Sequence, residues 1–408
     1  MRILHTSDWH LGKHLNNFSR HAEQEEVLKE ITEIADAQQV DVVLISGDLF
    51  DAYNPPAEST ELFYKTLKKL SSNGKRAVIA IAGNHDSPDR IEAPDPLARE
   101  CGIIFAGYPN TIVPLFELDS GLKAEHSEEG FFMLRLPGIS EPLRVLFTPY
   151  ANEYRLKIYL GQSGQEEELR NLLKKKWKET ADIYCDEKGV NIMISHLLFM
   201  KRGEAIPEEP EDEKPILHIG GAQIIYSDDI PEQIQYTALG HLHRRQTVSS
   251  SPSPVIYSGS PVAYSFSEAN QNKYVQMIEV YPGKQAVFTS IELCSCKKLL
   301  RKRAENVEEA VKWLSEHQDA LIELTMVTET FLTADDRKKL SLAHIGIVSI
   351  IPEVKNLQSA TPGYQNNIDL TKDMESLFVD FFKHNKGQQP NEDILNLFRE
   401  ILSVEDSN

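Results

Sequence analysis

Met1-Arg2-Ile3-Leu4-His5-Thr6-Ser7-Asp8-Trp9-His10 opens the chain, and this stretch decides how the rest is read. A short strand-like run, Arg2 to Thr6, ends at two side chains of metal-ligand type, Asp8 and His10. The same arrangement recurs four times downstream. Val42-Val43-Leu44-Ile45-Ser46 leads to Gly47-Asp48, and Ala77-Val78-Ile79-Ala80-Ile81 leads to Gly83-Asn84-His85-Asp86. Val190-Asn191-Ile192-Met193-Ile194 leads to Ser195-His196, and Tyr236-Thr237-Ala238-Leu239 leads to Gly240-His241-Leu242-His243. Short apolar, β-branched runs of this kind read as buried strands. In open α/β sheets, sites collect at the carboxyl ends of strands. A lone Asp-x-His or Gly-Asp says little. Five such endings in one chain predict one shared site.

Helical spacing fills the gaps between the early strands. Val27, Leu28, Ile31, Ile34 and Ala35 recur before the second strand, and Leu62, Phe63, Leu67 and Leu70 before the third. After about residue 140 the pattern turns β-rich, with strand runs at 144–148, 255–257 and 274–278. The expected fold is α/β, with layered sheets flanked by helices. The expected organisation is a main domain over 1–283, a small α/β domain over 284–355, a polar linker over 356–370 and a helical tail over 371–408. Glu204 to Lys214 is rich in Glu, Asp and Pro and reads as a solvated loop. No Gly-rich phosphate loop followed by Lys-Ser/Thr occurs, so there is no ATPase signature.

Composition narrows the class. The 408 residues are 41% hydrophobic and 26% charged, which is ordinary for a soluble globular protein. No apolar run approaches the roughly 20 residues needed to span a bilayer, and the N-terminus has no signal-peptide core. Cys101, Cys185, Cys294 and Cys296 are too few and too scattered for a disulfide framework. A cytoplasmic protein without membrane attachment is expected. The net charge of -19 argues against tight autonomous binding to a polyanion. Either the substrate is not nucleic acid, or metal ions and a partner supply positive charge.

The ordered motifs Asp8-Trp9-His10, Gly47-Asp48, Gly83-Asn84-His85, His196 and Gly240-His241-Leu242-His243 resemble the calcineurin-like metallophosphoesterase superfamily. The resemblance implies that superfamily's layered β-sandwich and two metal sites. One would be held by Asp8, His10 and His243, the other by Asn84, His196 and His241, with Asp48 bridging. The chemistry suits these residue types. Two divalent cations about 3.5–4 Å apart can activate water and clamp a phosphate, and a carboxylate has two oxygens with which to bridge them. Mixed N/O shells suit manganese, iron or zinc better than calcium, and manganese is the first choice. His85, outside the ligand set, would donate to phosphoryl oxygens or protonate the leaving oxygen. Asp51 would orient the His85 ring, as a carboxylate at that offset does in phosphatase members. Those phosphatases continue with Arg-Gly, whereas this chain has Ala52-Tyr53.

A narrower resemblance covers most of the chain. The opening twelve residues, Ser46-Gly47-Asp48-Leu49-Phe50-Asp51 with Pro55-Pro56, Ala82 to Ser87, Ala238 to His243, and Tyr257-Ser258-Gly259-Ser260-Pro261 with Ser265-Phe266 are similar to the SbcD family. That family supplies the nuclease subunits of bacterial DNA-repair complexes. The resemblance implies a homodimer joined to an SbcC-type coiled-coil ATPase as a heterotetramer. It also implies a small capping domain, exonuclease action on duplex DNA ends, and endonuclease action on single strands and hairpins. The ATPase would then supply much of the DNA grip that the acidic chain lacks. Lys297, Lys298, Arg301, Lys302 and Arg303 form the one conspicuous basic cluster and read as a solvated helix end. Two other functions compete: a nucleotide or cyclic-nucleotide phosphoesterase, and a non-enzymatic scaffold. The complete ligand set disfavours the scaffold, since buried ligands without metal are costly.

The tail carries two apolar stripes at helical spacing. Met374, Leu377, Phe378, Phe381 and Phe382 form the first, and Ile394, Leu397, Phe398, Ile401 and Leu402 the second. An exposed face with three phenylalanines calls for a covering partner. Leu377, Phe378, Phe381, Ile394, Leu397 and Phe398 are therefore expected to dock on the ATPase coiled coil in helix-in-groove fashion, as the resemblance also implies; the alternative is that the two helices pack on their own catalytic domain.

Overall fold

Parallel pairing in register brings the five motif-bearing strands to common edges. The computed structural model describes residues 1–158, 165–204, 224–328, 332–354 and 374–386, with Pro390, Glu392, Ile394, Leu395 and Phe398. The expected 356–370 linker, Leu397 and most of the acidic loop lie outside the described residues. In a six-stranded sheet, Arg2–Thr6, Val42–Ser46, Ala77–Ile81 and Ile103–Ala106 run parallel, with Thr6, Ile45 and Ala80 abreast. The segments after Thr6, Ser46 and Ile81 therefore leave the sheet at one edge. Lys273–Glu279 and Val287–Leu293 complete this sheet in antiparallel fashion.

A second sheet has eight strands. Leu143–Thr148, Val190–Ser195, Tyr236–Leu239 and Val255–Tyr257 run parallel, and Gln246–Ser249 and the meander over 116–135 pair antiparallel at its flanks. Alternation of side chains along each strand gives the sheets two apolar faces. Ile3, Val42, Leu44 and Ile79 from one sheet pack with Val145, Phe147, Ile192, Ile194 and Ala238 from the other. Leu4, Val43, Ile45 and Val78 face the helices His21–Ala37 and Ala57–Leu70, which bury Val27, Leu28, Ile31, Phe63 and Leu67. Leu146, Met193 and Leu239 face the helix Gln165–Tyr184 through Leu169, Leu173 and Trp177. The result is four layers, helix on sheet on sheet on helix. Burial on both faces is why the inner strands carry continuous apolar runs, each full burial contributing about 1.5–3 kcal/mol.

The strand Val287–Leu293 belongs to the six-stranded sheet, so the main layers extend past the expected boundary at 283. Beyond it, Leu299–Ala304, Leu321–Thr328 and Ile347–Val354 form a three-stranded sheet with helices Val307–Ser315 and Ala334–Ala343. This part has its own core of Ala310, Leu314, Ile322, Leu324, Met326 and Leu340. Leu299 and Leu321 pack with Leu15, Ala263 and Phe266 of the main layers. The basic run is not a helix end: Lys297 and Lys298 lead into the strand Leu299–Ala304, which carries Arg301, Lys302 and Arg303. Its charges pair with acidic neighbours, Arg301 with Glu323, Lys302 with Glu309, and Arg303 with Glu305 and Glu353. Apart from the strand ends Thr328 and Val354, these elements lie in one compact unit, Met1–Val327 with Leu332–Glu353; Thr328–Phe331 and Val354–Asn408 form a second. In the second unit, Met374–Lys386 is a helix, as its spacing predicts. Among the described residues, no helix is long and apolar enough to cross a membrane.

Candidate metal centre

Sheet pairing continues beyond the strand ends and locks the ligand-type residues together. The N–H groups of Asp8 and His10 donate to the carbonyls of Gly47 and Asp48, both at 2.9 Å. The Gly240 N–H reaches the Ser195 carbonyl at 3.1 Å. The turns are sharp: Asp8, His10, Asp48 and His241 have φ of 54°, 43°, 49° and 104°. Such conformations cost about 1–3 kcal/mol each in a non-glycine residue and gather at functional sites. Two glycines make room. A Cβ on Gly83 would lie 2.1 Å from Asp48 Oδ1, and one on Gly240 would lie 1.9 Å from the Ser46 carbonyl.

All seven predicted ligands converge. Asp48 Oδ2 lies 3.4 Å from His10 Nε2 and 3.4 Å from His196 Nε2. Asp48 Oδ1 is taken by the His85 backbone N–H at 3.0 Å. A single carboxylate oxygen thus faces both halves of the cluster, where two oxygens were expected. On one side, His10 Nε2 and His243 Nε2 are 3.0 Å apart, with Asp8 grouped beside them. On the other, Asn84 Oδ1 lies 2.9 Å from His196 Nε2 and 3.0 Å from His241 Nδ1. Asp8 Oδ1 accepts from the His241 N–H at 2.9 Å, and its Oδ2 accepts from the Ser7 hydroxyl at 2.5 Å.

These donors fit divalent cations. Two donors about 2.0–2.2 Å from one cation and roughly at right angles stand about 3 Å apart, close to the contacts above. The histidine tautomers agree. His196 Nδ1 faces the Ser46 carbonyl at 2.7 Å, which makes it the N–H and leaves Nε2 a lone pair. His10 Nδ1 faces Asp51 Oδ1 at 3.5 Å and His243 Nδ1 faces Glu268 Oε1 at 3.8 Å. With both Nδ1 protonated, two Nε2 lone pairs converge, an arrangement that a cation between them relieves. Burial pushes His10 and His241 down to about 3, keeping these rings neutral. Burial works against the charge on Asp48, yet His196, His85 and His10 hold its carboxyl well below the usual range. Burial also opposes the charge on His196, but Asp48 and Asp8 outweigh it and raise this ring to about 9, so without a cation Nε2 holds a proton that a bound cation would displace. Burial raises the Asp8 carboxyl above its ordinary value, so a cation beside Asp8 and Asp48 would relieve the cost of their buried charge.

The calcineurin-like phosphoesterase family model matches residues 1–244. Over 411 residues the chain is 36% identical to the SbcD subunit of the SbcCD nuclease of Bacillus subtilis, covering 99% of this chain and 98% of that one. The chain belongs to the SbcD family of the calcineurin-like phosphoesterases. It is 32% identical to the SbcD nuclease subunit of Rhodobacter capsulatus, over 69% of this chain and 67% of that one. With the SbcD nuclease subunit of Escherichia coli K12 it shares 28%, over 70% and 66%.

In this member of the family, His85 and Asp51 meet differently from expectation. His85 Nδ1 faces the main-chain carbonyl of Asp51 at 3.0 Å, so the backbone orients the ring. The Asp51 carboxylate accepts from Lys13 Nζ at 2.8 Å and faces His10. Burial opposes its charge, but His10 and Lys13 hold it below the usual carboxylate range.

Three supporting residues were given no role by the sequence reading. Asp86 accepts from the N–H groups of Gly83 at 2.7 Å, Leu49 at 3.0 Å and Phe50 at 2.9 Å, cross-bracing the Asp48 and His85 loops. Burial and the nearby Asp48 charge push Asp86 up to about 6. Arg155 is buried and donates to the carbonyls of Gly83 and Asp86, both at 2.8 Å. Glu268 is buried with Lys273, and Lys273 Nζ also donates to the His243 carbonyl at 3.2 Å. Asp86 lies inside a quoted motif and Glu268 two residues past Phe266, whereas Arg155 lies far from any motif in sequence. Of the predicted docking residues, Leu377, Phe378, Phe381, Ile394 and Phe398 lie in the second unit, where Phe378 stacks on Phe398 at 4.1 Å between ring centres.

Proposed function

We propose that this chain is a two-metal-dependent DNA nuclease. Its action is exonucleolytic on duplex ends and endonucleolytic on single strands and hairpins. Asp8, His10 and His243 hold one cation, Asn84, His196 and His241 the other, and Asp48 bridges. The observation that carries the reading is Asp48 Oδ2 at 3.4 Å from both His10 and His196, in a chain alike over its full length to an SbcCD nuclease subunit. Manganese is the preferred ion, given the mixed N/O donor set. When bound, two cations polarise phosphoryl oxygens and acidify water. Asp51 holds the His85 Nδ1–H with its carbonyl, leaving His85 Nε2 to donate to a phosphoryl oxygen or to the leaving oxygen. Asp86 and Arg155 fix the loop from which His85 acts.

The partner in this reading is an SbcC-type coiled-coil ATPase, joined through the tail, in a heterotetramer built on a homodimer of this chain in the cytoplasm. The small sheet over 299–353 acts as the capping part. A net charge of -19 supports a division in which the ATPase supplies much of the grip on DNA. The test is digestion of end-labelled duplex and hairpin DNA with manganese, with and without chelator, ATP and the ATPase. Nucleotides and cyclic nucleotides serve as competing substrates. Chelator-sensitive DNA cleavage is expected. Hydrolysis of nucleotides with DNA left intact overturns the reading.

A further inference from the structure

Two tyrosines stand beside the loop that carries Asn84 and His85: buried Arg155 ties the turn of Tyr154 to it, and Asp89 holds Tyr108. The helical turn Glu153–Leu156 is capped by Asn152, whose Oδ1 accepts from the Arg155 N–H at 2.8 Å. Arg155 points inward, to the carbonyls of Gly83 and Asp86. Its neighbour Tyr154 is 78% exposed. Lys157 ends the turn in a left-handed conformation, φ 56°, with its ammonium 5.4 Å from the centre of the Tyr108 ring. The Tyr108 hydroxyl donates to Asp89 Oδ1 at 2.7 Å, three residues beyond Asp86. Burial and this bond to Asp89 push the Tyr108 phenol up to about 12, so the ring stays neutral. Tyr108, Glu153, Tyr154, Lys157 and Ile158 line an open cleft of about 570 Å³.

Single exposed aromatics need no explanation. Here two rings and an ammonium share one cleft, and their mount is bonded to the loop of the candidate catalytic histidine. The chain is strongly acidic, so tracking a phosphate backbone by charge alone is unfavourable. Stacking on an aromatic face needs no net positive charge and accepts any base. Bases in a duplex already stack on each other, so only an unpaired base offers both faces.

We propose that Tyr154 and Tyr108, with Lys157 over the Tyr108 ring, form a stacking subsite for an unpaired nucleobase of the strand being cut. The proposal rests on the nuclease reading above. It is tested on the full chain with manganese, using a single-stranded oligonucleotide, an abasic strand of equal length, and bis(4-nitrophenyl) phosphate. Tyr154→Ala should raise KM for the base-bearing strand roughly 5- to 150-fold, the range of one lost base stack. It should leave kcat, the abasic strand and the small diester unchanged, and Tyr154→Trp should keep the parental KM. An unchanged KM in Tyr154→Ala, or an equal rise for the abasic strand, overturns the subsite while the nuclease reading stands. If the parent cuts the small diester and no oligonucleotide, the nuclease reading fails and the subsite falls with it.

Discussion

The imidazole of His85 is held by the main-chain carbonyl of Asp51, with Nδ1 and the oxygen 3.0 Å apart. The Asp51 carboxylate points elsewhere, to Lys13 and toward Nδ1 of His10. Replacing the carboxylate therefore should not release His85. Asp51→Asn is expected to weaken manganese affinity by about 10- to 100-fold through His10, the usual effect of losing a carboxylate behind a ligand histidine. At saturating manganese, kcat should stay near the parent's. Metal titration with activity readout separates the two. A large kcat loss at saturating metal would mean that the carboxylate serves His85 after all.

His85 is not one of the seven assigned ligands, although its ring lies close to His10 and Asp51, and its backbone N–H contacts Asp48. His85→Ala should lower kcat by about 100- to 1,000-fold, the typical effect of losing a transition-state donor. Metal content by mass spectrometry should stay at the parental level. Loss of both metals together with activity would make the ring a ligand instead.

Asp48 and Asp8 should behave differently. Asp48 Oδ2 faces His10 and His196 equally, at 3.4 Å each, so Asp48→Ala removes a donor from both halves. Asp8 is grouped with His10 and His243 in one half and with Asp48 and His196 through the other, but in the proposed assignment it ligates one cation. Stoichiometry should fall toward zero metals per chain in Asp48→Ala and toward one in Asp8→Ala. Two tightly held metals in the Asp48 variant would remove it from the bridging role.

The parts of this structure that were legible in the sequence are those with a local cause. The strands ending at Thr6, Ser46, Ile81, Ser195 and Leu239 are buried on both faces, so most of their residues are apolar and each run stops at polar ligands. The strand Val287–Leu293 falls on the wrong side of the expected 283 boundary because it is a sheet edge. All but its last residue are exposed or half-buried, which leaves little apolar signal. Arg155 reaches the carbonyl of Gly83 across 72 residues of sequence, and no spacing rule reports such a pairing. The same holds for Glu268, whose link to His243 exists only once the chain has folded. Asp51 shows the remaining gap: position in a motif does not say whether the side chain or the backbone makes the bond.

Glu268 offers a test of how the metal site is supported. Glu268 and Lys273 are a buried ion pair, with Glu268 also accepting from the Tyr264 N–H at 2.8 Å and facing His243. Glu268→Gln leaves the Lys273 charge buried without its partner, which typically costs about 3–5 kcal/mol. Lys273→Met in the same chain should recover part of that loss. Burial opposes the Glu268 charge, but Lys273 and His243 hold the carboxyl well below its ordinary 4.5. A depressed folded-state pKa stabilises above the unfolded value and loses that stabilisation as pH falls. The stability gap between parent and Glu268→Gln should thus be widest above about pH 4.5 and narrow on acidification. Denaturant midpoints measured across pH check this, and a gap that widens toward acid pH refutes the assignment.

The tail makes the last prediction, because its phenylalanines differ in what they already touch. Phe378 stacks on Phe398 with ring planes 9° apart, and Phe382 lies 5.9 Å from Phe378. This stacking ties Phe398 to the helix Met374–Lys386. Phe381, one turn along the same helix, is 64% exposed. An exposed ring of that size on a short amphipathic helix is the anchor that helix-in-groove binding uses, and truncating such an anchor often costs about 2 kcal/mol or more. Phe381→Ala should therefore weaken association with the SbcC-type ATPase by about 30-fold or more while the free chain keeps its helix content. Phe378→Ala should lose helix content first and binding as a consequence. Deleting residues 371–408 should abolish co-purification with the ATPase, yet manganese-dependent cleavage of short single strands should survive. Binding is measured by titration with the purified ATPase and helix content by circular dichroism. If Phe381→Ala binds with parental affinity while Phe378→Ala does not, the contact runs through the stacked pair and the exposed ring is not the anchor. If the truncated chain still binds the ATPase, docking does not depend on the tail.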